Sequence, residues 1–98
     1  MEQQISEKIG LGLITCNSLD KFKESVATIP DDIDCLVIVN DGKPYDASVY
    51  PANATIIQHD RNKGVGIAKN DALRYLMEAG CTQLFLMEDD VLIKDKTV

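Results

Sequence analysis

The chain has little positive charge, and this shortage argues against one class of function. Its 98 residues carry 10 basic and 16 acidic side chains, a net charge of −6, and contain no basic tract. Nucleic-acid binders usually have the opposite balance, because the neutralisation of phosphates drives their affinity. We therefore expect no nucleic-acid partner. A small phosphorylated ligand remains compatible with an acidic protein if a cation or a few local bases mediate its binding.

Cysteine and histidine are also scarce. Cys16, Cys35 and Cys81 are widely spaced, match no zinc pattern and are odd in number, which argues against a disulfide framework. We interpret them as small apolar side chains within or beside buried segments. His59 is the only histidine, and its neighbours in sequence complete no Ser-His-Asp or Cys-His site. We interpret it as a partly buried structural histidine.

Long apolar runs are missing as well. No segment approaches the ~20 apolar residues that a membrane-spanning helix needs, so we expect no membrane span. The polar residues 1–8 are unlike a secretory signal, and we expect a cytoplasmic protein. The length and the ordinary composition predict a single domain over residues 1–98.

Apolar runs and helical spacings alternate along the chain. Short apolar runs predict four strands, at residues 9–15, 35–39, 54–58 and 84–87. Apolar residues three and four apart predict two helices, one from an Asn17-Ser18 cap to Pro30 and one over residues 64–80, with a loop over 43–53. This alternation predicts an α/β fold: three-layer, Rossmann-like, with a mainly parallel sheet of about four strands.

A polar cluster follows each predicted strand. Ligands of parallel α/β sheets bind beyond the carboxyl ends of the strands, so we expect all four clusters to gather at one edge of the sheet. The clusters are Thr15-Cys16-Asn17, Asn40-Asp41-Gly42, residues 59–64, and Glu88-Asp89-Asp90.

The acidic triplet Glu88-Asp89-Asp90 is the most informative cluster. Three consecutive carboxylates repel one another, and a divalent cation is the natural counter-charge. Hard oxygen ligands select Mg²⁺ or Mn²⁺, which also bind substrate phosphates. The alternative is a solvated turn, in which carboxylates are common. The position of the triplet beside the other clusters favours the metal site.

Two further clusters leave alternatives open. Asp41 is either part of an Asp-Gly turn or a carboxylate that accepts a hydrogen bond from a ligand, and the local sequence favours neither. Arg61 and Lys63 precede two glycines at the start of the second predicted helix. A helix N-terminus with glycine amides and two bases suits a diphosphate, whereas the alternative is a solvated loop before a flexible helix start.

Taken in order, these clusters resemble the amino-terminal half of a family-2-like glycosyltransferase of the GT-A fold. The similarity extends from about Ile9 to Ile93. It is carried by Leu11-Gly-Leu-Ile-Thr-Cys-Asn17, Val37-Ile-Val-Asn-Asp-Gly42, Asn62-Lys-Gly-Val-Gly-Ile-Ala-Lys-Asn70 and the Asp-x-Asp-like Glu88-Asp-Asp90. Two positions depart from the family pattern: Asn40 and Glu88 each stand where an aspartate is usual.

The resemblance implies a ligand, a nucleoside-diphosphate sugar with a UDP-sugar favoured. Asp41 would contact the base, Thr15 and Asn17 would line the base and ribose pocket, and Arg61 would lie near the phosphates. The resemblance also implies Mn²⁺ or Mg²⁺ as the cofactor.

The acidic triplet takes the metal role in this resemblance. Asp90 would bind the ion that bridges the donor diphosphate, and Glu88 and Asp89 would support the metal or touch the ribose. Metal and diphosphate together would stabilise the leaving group.

The carboxyl-terminal half of such enzymes supplies the acceptor site and the catalytic base. We therefore assign no catalytic residue, and we expect donor binding from this chain rather than complete transfer. Two alternatives stay open. A nucleotidyltransferase of similar fold would carry a glycine-rich loop with bases after the first strand, where this chain has Thr15-Cys16-Asn17. A non-catalytic half-domain would instead self-associate through an exposed sheet edge, as a homo-oligomer.

Overall fold

The structure is a computed structural model that describes residues 7–89. Its elements are β1 (Ile9–Thr15), α1 (Leu19–Ala27), β2 (Cys35–Asn40), a short 3-10 helix (Ala47–Val49), β3 (Ala54–Gln58), α2 (Val65–Glu78) and β4 (Gln83–Glu88). All four predicted strands and both predicted helices are confirmed. The 3-10 helix lies within the segment that the sequence suggested was a loop.

Both helices are shorter than predicted, and each ends for a local reason. In α1 the Thr28 and Ile29 amides donate to carbonyls three residues back, at 3.0 and 3.1 Å, which tightens the last turn before Pro30. After α2 the chain turns at Gly80, whose φ of +85° lies in the left-handed region that favours glycine. The prediction of Gly80 as the residue that terminates this helix is confirmed.

The four strands form one parallel sheet in the order β3-β2-β1-β4. The chain builds outward from β1 to β2 and β3, and then crosses back to place β4 on the other side of β1. In register, Thr15 pairs with Asn40, and Asn40 pairs with Gln58. On the other side of β1, Ile14 pairs with Glu88. The carboxyl ends of the strands are therefore level, and the order of the strands reverses between β1 and β4.

The two helices cover opposite faces of the sheet. On one face, Phe22 of α1 packs in a buried cluster with the side chains of Leu13 and Ile38. On the other face, Ala68, Ala72 and Leu76 of α2 pack against the alternate side chains of the same strands. The predicted three-layer α/β architecture is confirmed. In the part of the chain that the structure describes, no helix is long and apolar enough to span a membrane.

Two glycines in β1 let α2 approach the sheet closely. A methyl group at Gly12 would lie 2.9 Å from Ala72 Cβ and 2.9 Å from Leu86 Cδ2. A methyl group at Gly10 would lie 2.7 Å from Cys81 Sγ and 2.8 Å from Leu76 Cδ2. Real Cβ atoms do not tolerate such distances in a close-packed interior. Gly12, which faces the Cβ atom of Ala72, therefore sets the height of α2 above the centre of the sheet, whereas the nearest atoms to Gly10 are the ends of side chains.

We expect Gly12→Ala to destabilise the protein by about 1–3 kcal/mol, because the new methyl group overpacks the contact between α2 and β1. The matched control is Gly66→Ala in α2, where a methyl group would meet no atom within 4 Å. Alanine is the better helix former, so this control should raise stability by roughly 0.5–1 kcal/mol. Urea unfolding followed by circular dichroism measures both changes. Equal stability of Gly12→Ala and the parent chain would contradict the steric argument.

Candidate functional site

A cleft of about 200 Å³ opens at the carboxyl ends of β1 and β4, where the strand order reverses. In open α/β sheets, this reversal is the usual place for a ligand. The β1 end contributes Thr15 and Cys16, and the β4 end contributes Glu88 and Asp89. The remaining lining residues come from β1, from the turn after β2, from the loop before α2 and from the first residue of α2: Ile14, Asp41, Asn62, Gly64 and Val65.

Asp41 follows β2 and is buried, with 3% of its surface exposed. Its Oδ1 accepts a hydrogen bond from the Lys63 amide at 2.7 Å and lies 2.7 Å from His59 Nδ1. Its Oδ2 accepts from the Gly64 amide at 2.9 Å. Burial raises the pKa of the Asp41 carboxyl, but the hydrogen bonds from His59, Lys63 and Gly64 lower it by more, so the net pKa lies below the usual 3.8. Asp41 is therefore a buried carboxylate that holds the loop before α2.

In this arrangement Asp41 occupies part of the α2 N-terminus. The sequence suggested that bare glycine amides at this helix end receive a diphosphate, but the Gly64 amide already donates to Asp41. Gly64 itself has φ of +99°, so it is in the left-handed region that favours glycine. The N-terminus of a helix is a favourable place for a negative charge, and here the Asp41 carboxylate supplies that charge. Because Asp41 Oδ1 and Oδ2 together offer about four lone-pair sites, Asp41 retains the capacity for one further hydrogen bond.

His59 connects Asp41 to α2. Its Nδ1 lies 2.7 Å from Asp41 Oδ1, and its Nε2 lies 2.7 Å from Asp71 Oδ2. Burial lowers the pKa of His59, but the hydrogen bonds to Asp41 and Asp71 raise it by more, and the net pKa lies above the usual 6.5. The interpretation of His59 as a structural histidine agrees with this burial. The sequence did not single out Asp71, because its role depends on a contact with His59 that forms only when α2 packs beside the end of β3.

Asp89 is held by hydroxyl groups from the end of β1 and from the turn before α1. Its Oδ2 accepts from Thr15 Oγ1 at 2.7 Å and from the Ser18 hydroxyl. Because the Thr15 hydroxyl has one proton and gives it to Asp89, the Tyr45 hydroxyl, 2.7 Å away, must donate to Thr15. The Tyr45 oxygen in turn accepts from the Ser18 amide at 3.1 Å. This chain of hydrogen bonds orients the Asp89 carboxylate at the cleft.

Glu88 is the more accessible acid, with 48% of its side chain exposed, and Lys69 Nζ lies 3.3 Å from its Oε2. The predicted metal ligand Asp90 lies outside the described residues. Within residues 7–89, no group of three or more histidine, cysteine or acidic side chains is placed to hold a metal ion. The metal role of the acidic triplet stays a prediction.

A second cleft of about 400 Å³ adjoins the first and shares Asn62 with it. Asn17 and Arg61 line this second cleft, together with Lys43 and Gln58. Thus the structure brings Thr15, Asp41, Glu88 and Asp89 to the first cleft, and Asn17 and Arg61 to the second.

The wall of the second cleft is formed by a close contact between two turns. Asn17 has φ of +50°, and its Oδ1 accepts from the Lys43 amide at 2.8 Å. A methyl group at Gly42 would lie 2.5 Å from that oxygen, so only glycine fits there. Nearby, the buried Asn40 amide donates to the Lys43 carbonyl and to the Tyr50 hydroxyl. An aspartate carboxylate has no proton to donate, which explains why an asparagine suits this position.

The two pKa shifts predict the pH dependence of stability. The pKa of Asp41 is lowered on folding. Its contribution to the free energy of unfolding is therefore complete above pH 3.8 and is lost as the pH falls through the folded-state pKa. The pKa of His59 is raised on folding, so its contribution is complete below 6.5 and is lost as the pH rises through the folded value. We expect the largest urea midpoint between these two values. His59→Gln should remove the alkaline loss and keep the acid loss. The same alkaline loss in both proteins would assign it to another group.

Comparisons of the chain with protein-family models, with curated proteins and with solved structures found no match. The inference of function therefore rests on the two clefts and on the side chains that line them.

Proposed function

We propose that this chain binds a nucleoside-diphosphate sugar with Mg²⁺ or Mn²⁺ and forms the donor-binding part of a glycosyltransferase. A UDP-sugar is the favoured donor. The observation that carries the proposal is the position of the first cleft. It lies where the strand order reverses, with Thr15 and Asp41 on one side and two carboxylates, Glu88 and Asp89, on the other.

The chemistry of the β4 end fits a hard divalent cation. Glu88 is half-exposed, and Asp89 is oriented by the Thr15 and Ser18 hydroxyls. Carboxylate oxygens are the ligands that Mg²⁺ and Mn²⁺ prefer. Asp90 is the ligand that the resemblance assigns, and Glu88 and Asp89 would support it. When bound, such an ion would neutralise the donor diphosphate and stabilise it as a leaving group.

The second cleft supports a ligand with two parts. It adjoins the first cleft at Asn62, and it carries the cations Arg61 and Lys43. Cationic side chains favour an anionic ligand despite the net charge of −6. A diphosphate that lies where the two clefts meet would have the metal and carboxylates on one side and these cations on the other.

We expect calorimetric titration with UDP to show binding that requires Mn²⁺ or Mg²⁺, and Asp90→Ala to weaken it by at least roughly 10-fold, the loss that even an outer-shell change at a metal site causes. Asp32→Ala is the matched control. It removes an exposed carboxylate from the turn before β2, at the opposite edge of the sheet.

UDP binding that is equal with and without metal, or that is equal in Asp90→Ala and Asp32→Ala, would contradict the metal role. The absence of heat with UDP, and then with GDP, would contradict the donor site itself.

One observation favours a second function, a non-catalytic module that self-associates. In the part of the chain that is described, β4 has no strand on its outer side, and Phe85 on this strand is 52% exposed. An open strand edge with an exposed aromatic side chain favours pairing with another chain.

For this second function, sedimentation equilibrium should show a mass that rises with protein concentration, and Phe85→Lys should restore the monomer mass. Met77→Lys is the control, because Met77 is also exposed, at 66%, but lies on α2. A monomer mass at every concentration would reject self-association.

A further inference from the structure

The strongest unexplained feature is the line of three side chains Asp41, His59 and Asp71. It joins the ends of β2 and β3 to the second turn of α2, with both contacts at 2.7 Å. The His59 and Asp41 side chains are each 4% exposed, whereas that of Asp71 is 27% exposed. The proposed donor site has no direct use for Asp71.

The geometry favours one protonation state of this line. A neutral imidazole has one N–H and can donate to only one carboxylate, but both ring nitrogens of His59 lie at hydrogen-bond distance from carboxylate oxygens. Both contacts are satisfied together when the ring is an imidazolium between two carboxylates. If the ring loses a proton, one nitrogen presents a lone pair to a carboxylate oxygen.

When His59 loses a proton, its contact with the more exposed carboxylate, Asp71, breaks before its contact with Asp41. The Asp41 side chain is buried and cannot turn towards solvent, so a neutral His59 keeps its proton on Nδ1, where it faces this carboxylate. The Nε2 lone pair then faces Asp71 Oδ2, and Asp71 can turn towards solvent. His59 thereby loses its attachment to α2.

This attachment matters for the loop between His59 and Gly64. Asp41 accepts hydrogen bonds from the Lys63 and Gly64 amides as well as from His59. The loop carries Arg61 and Asn62 into the second cleft. When Asp41 and Asp71 both bind the His59 ring, the ring keeps Asp41 in place. Asp41 in turn keeps the loop in place through the Lys63 and Gly64 amides.

Other charged groups lie around the line. Lys43, Asp60 and Arg61 share the second cleft with His59. Arg74 and Glu78 share a shallow cleft with Asp71 where α2 meets β3. Among residues 7–89, only Asp41 and Asp71 make hydrogen bonds to the ring.

We propose that Asp71, acting through a doubly protonated His59, is a positioning residue that holds Asp41 and the 59–64 loop in place, and that nucleotide binding in the two clefts depends on the proton that His59 carries. This inference rests on the proposed donor-binding function and adds the regulation of that site.

The test compares UDP affinity in Mg²⁺ from pH 6 to pH 9 for the parent chain, Asp71→Asn and Asp71→Ala. In the parent chain the affinity should fall roughly tenfold as His59 is deprotonated, the effect of losing one hydrogen bond to a charged group. In Asp71→Asn the side-chain amide donates to a neutral Nε2, so the affinity should stay near the parent's low-pH value. In Asp71→Ala it should be at the parent's high-pH value throughout.

Glu24→Gln is the control for the loss of one carboxylate. Glu24 is exposed on α1, on the opposite face of the sheet, and its variant should reproduce the parent profile. The ionisation of UDP is common to all four proteins and cancels in the comparison. A parent-like fall in Asp71→Asn, or parent-like affinity at low pH in Asp71→Ala, would overturn the proposal.

A second measurement separates this inference from the proposed function. His59 is the only histidine, so its imidazole signals in a nuclear magnetic resonance titration are unambiguous. The midpoint of the His59 titration should move to lower pH in Asp71→Asn. In the parent chain, the Lys63 and Gly64 amide signals should change with pH in parallel with the His59 signals. An unchanged midpoint would overturn the positioning role. If UDP binds at no pH, the donor-binding function and its proton dependence both fail, and these signals still decide whether Asp71 holds the loop.

Discussion

The buried carboxylate of Asp41 is the contact on which the organisation of the site depends. It receives the Lys63 and Gly64 amides and the His59 ring, and so joins the end of β2 to the end of β3 and to the start of α2. A buried ionised carboxylate is costly unless such partners surround it. The same partners lose their acceptor if Asp41 is absent. The loop between β3 and α2, and with it one wall of each cleft, therefore depends on a single side chain.

The second organising constraint is the order of the strands. Because β4 crosses back to the side of β1 opposite β2, the turn after β1 and the end of β4 face each other across the first cleft. Hydroxyl groups from the end of β1 and from the turn before α1 donate to Asp89. The tyrosine hydroxyl that supports them comes from the loop after β2. Residues from three separate segments thus orient one carboxylate at the mouth of the cleft.

The fold was readable from the sequence because its signals are local. Apolar runs of strand length and apolar residues at helical spacing mark each element, and their alternation dictates a parallel sheet with the polar clusters at one edge. The positions of Thr15, Asp41 and Asp89 follow from that rule. The partners of these residues do not. Tyr45 meets Thr15 from 30 residues away, and Asp71 meets His59 from the next helix. Such contacts depend on how the turns fold back in three dimensions, which neither periodicity nor motif spacing encodes.

The close approach of α2 to β1 has a consequence for the history of the chain. Gly12 meets Ala72 and Leu86 with no room for a methyl group. A side chain at position 12 meets both partners, so it fits only after both have given way, and the order of substitutions matters. These three positions would change as a set in descendants of this sequence, and a single exchange at any one of them would depend on what the other two already hold.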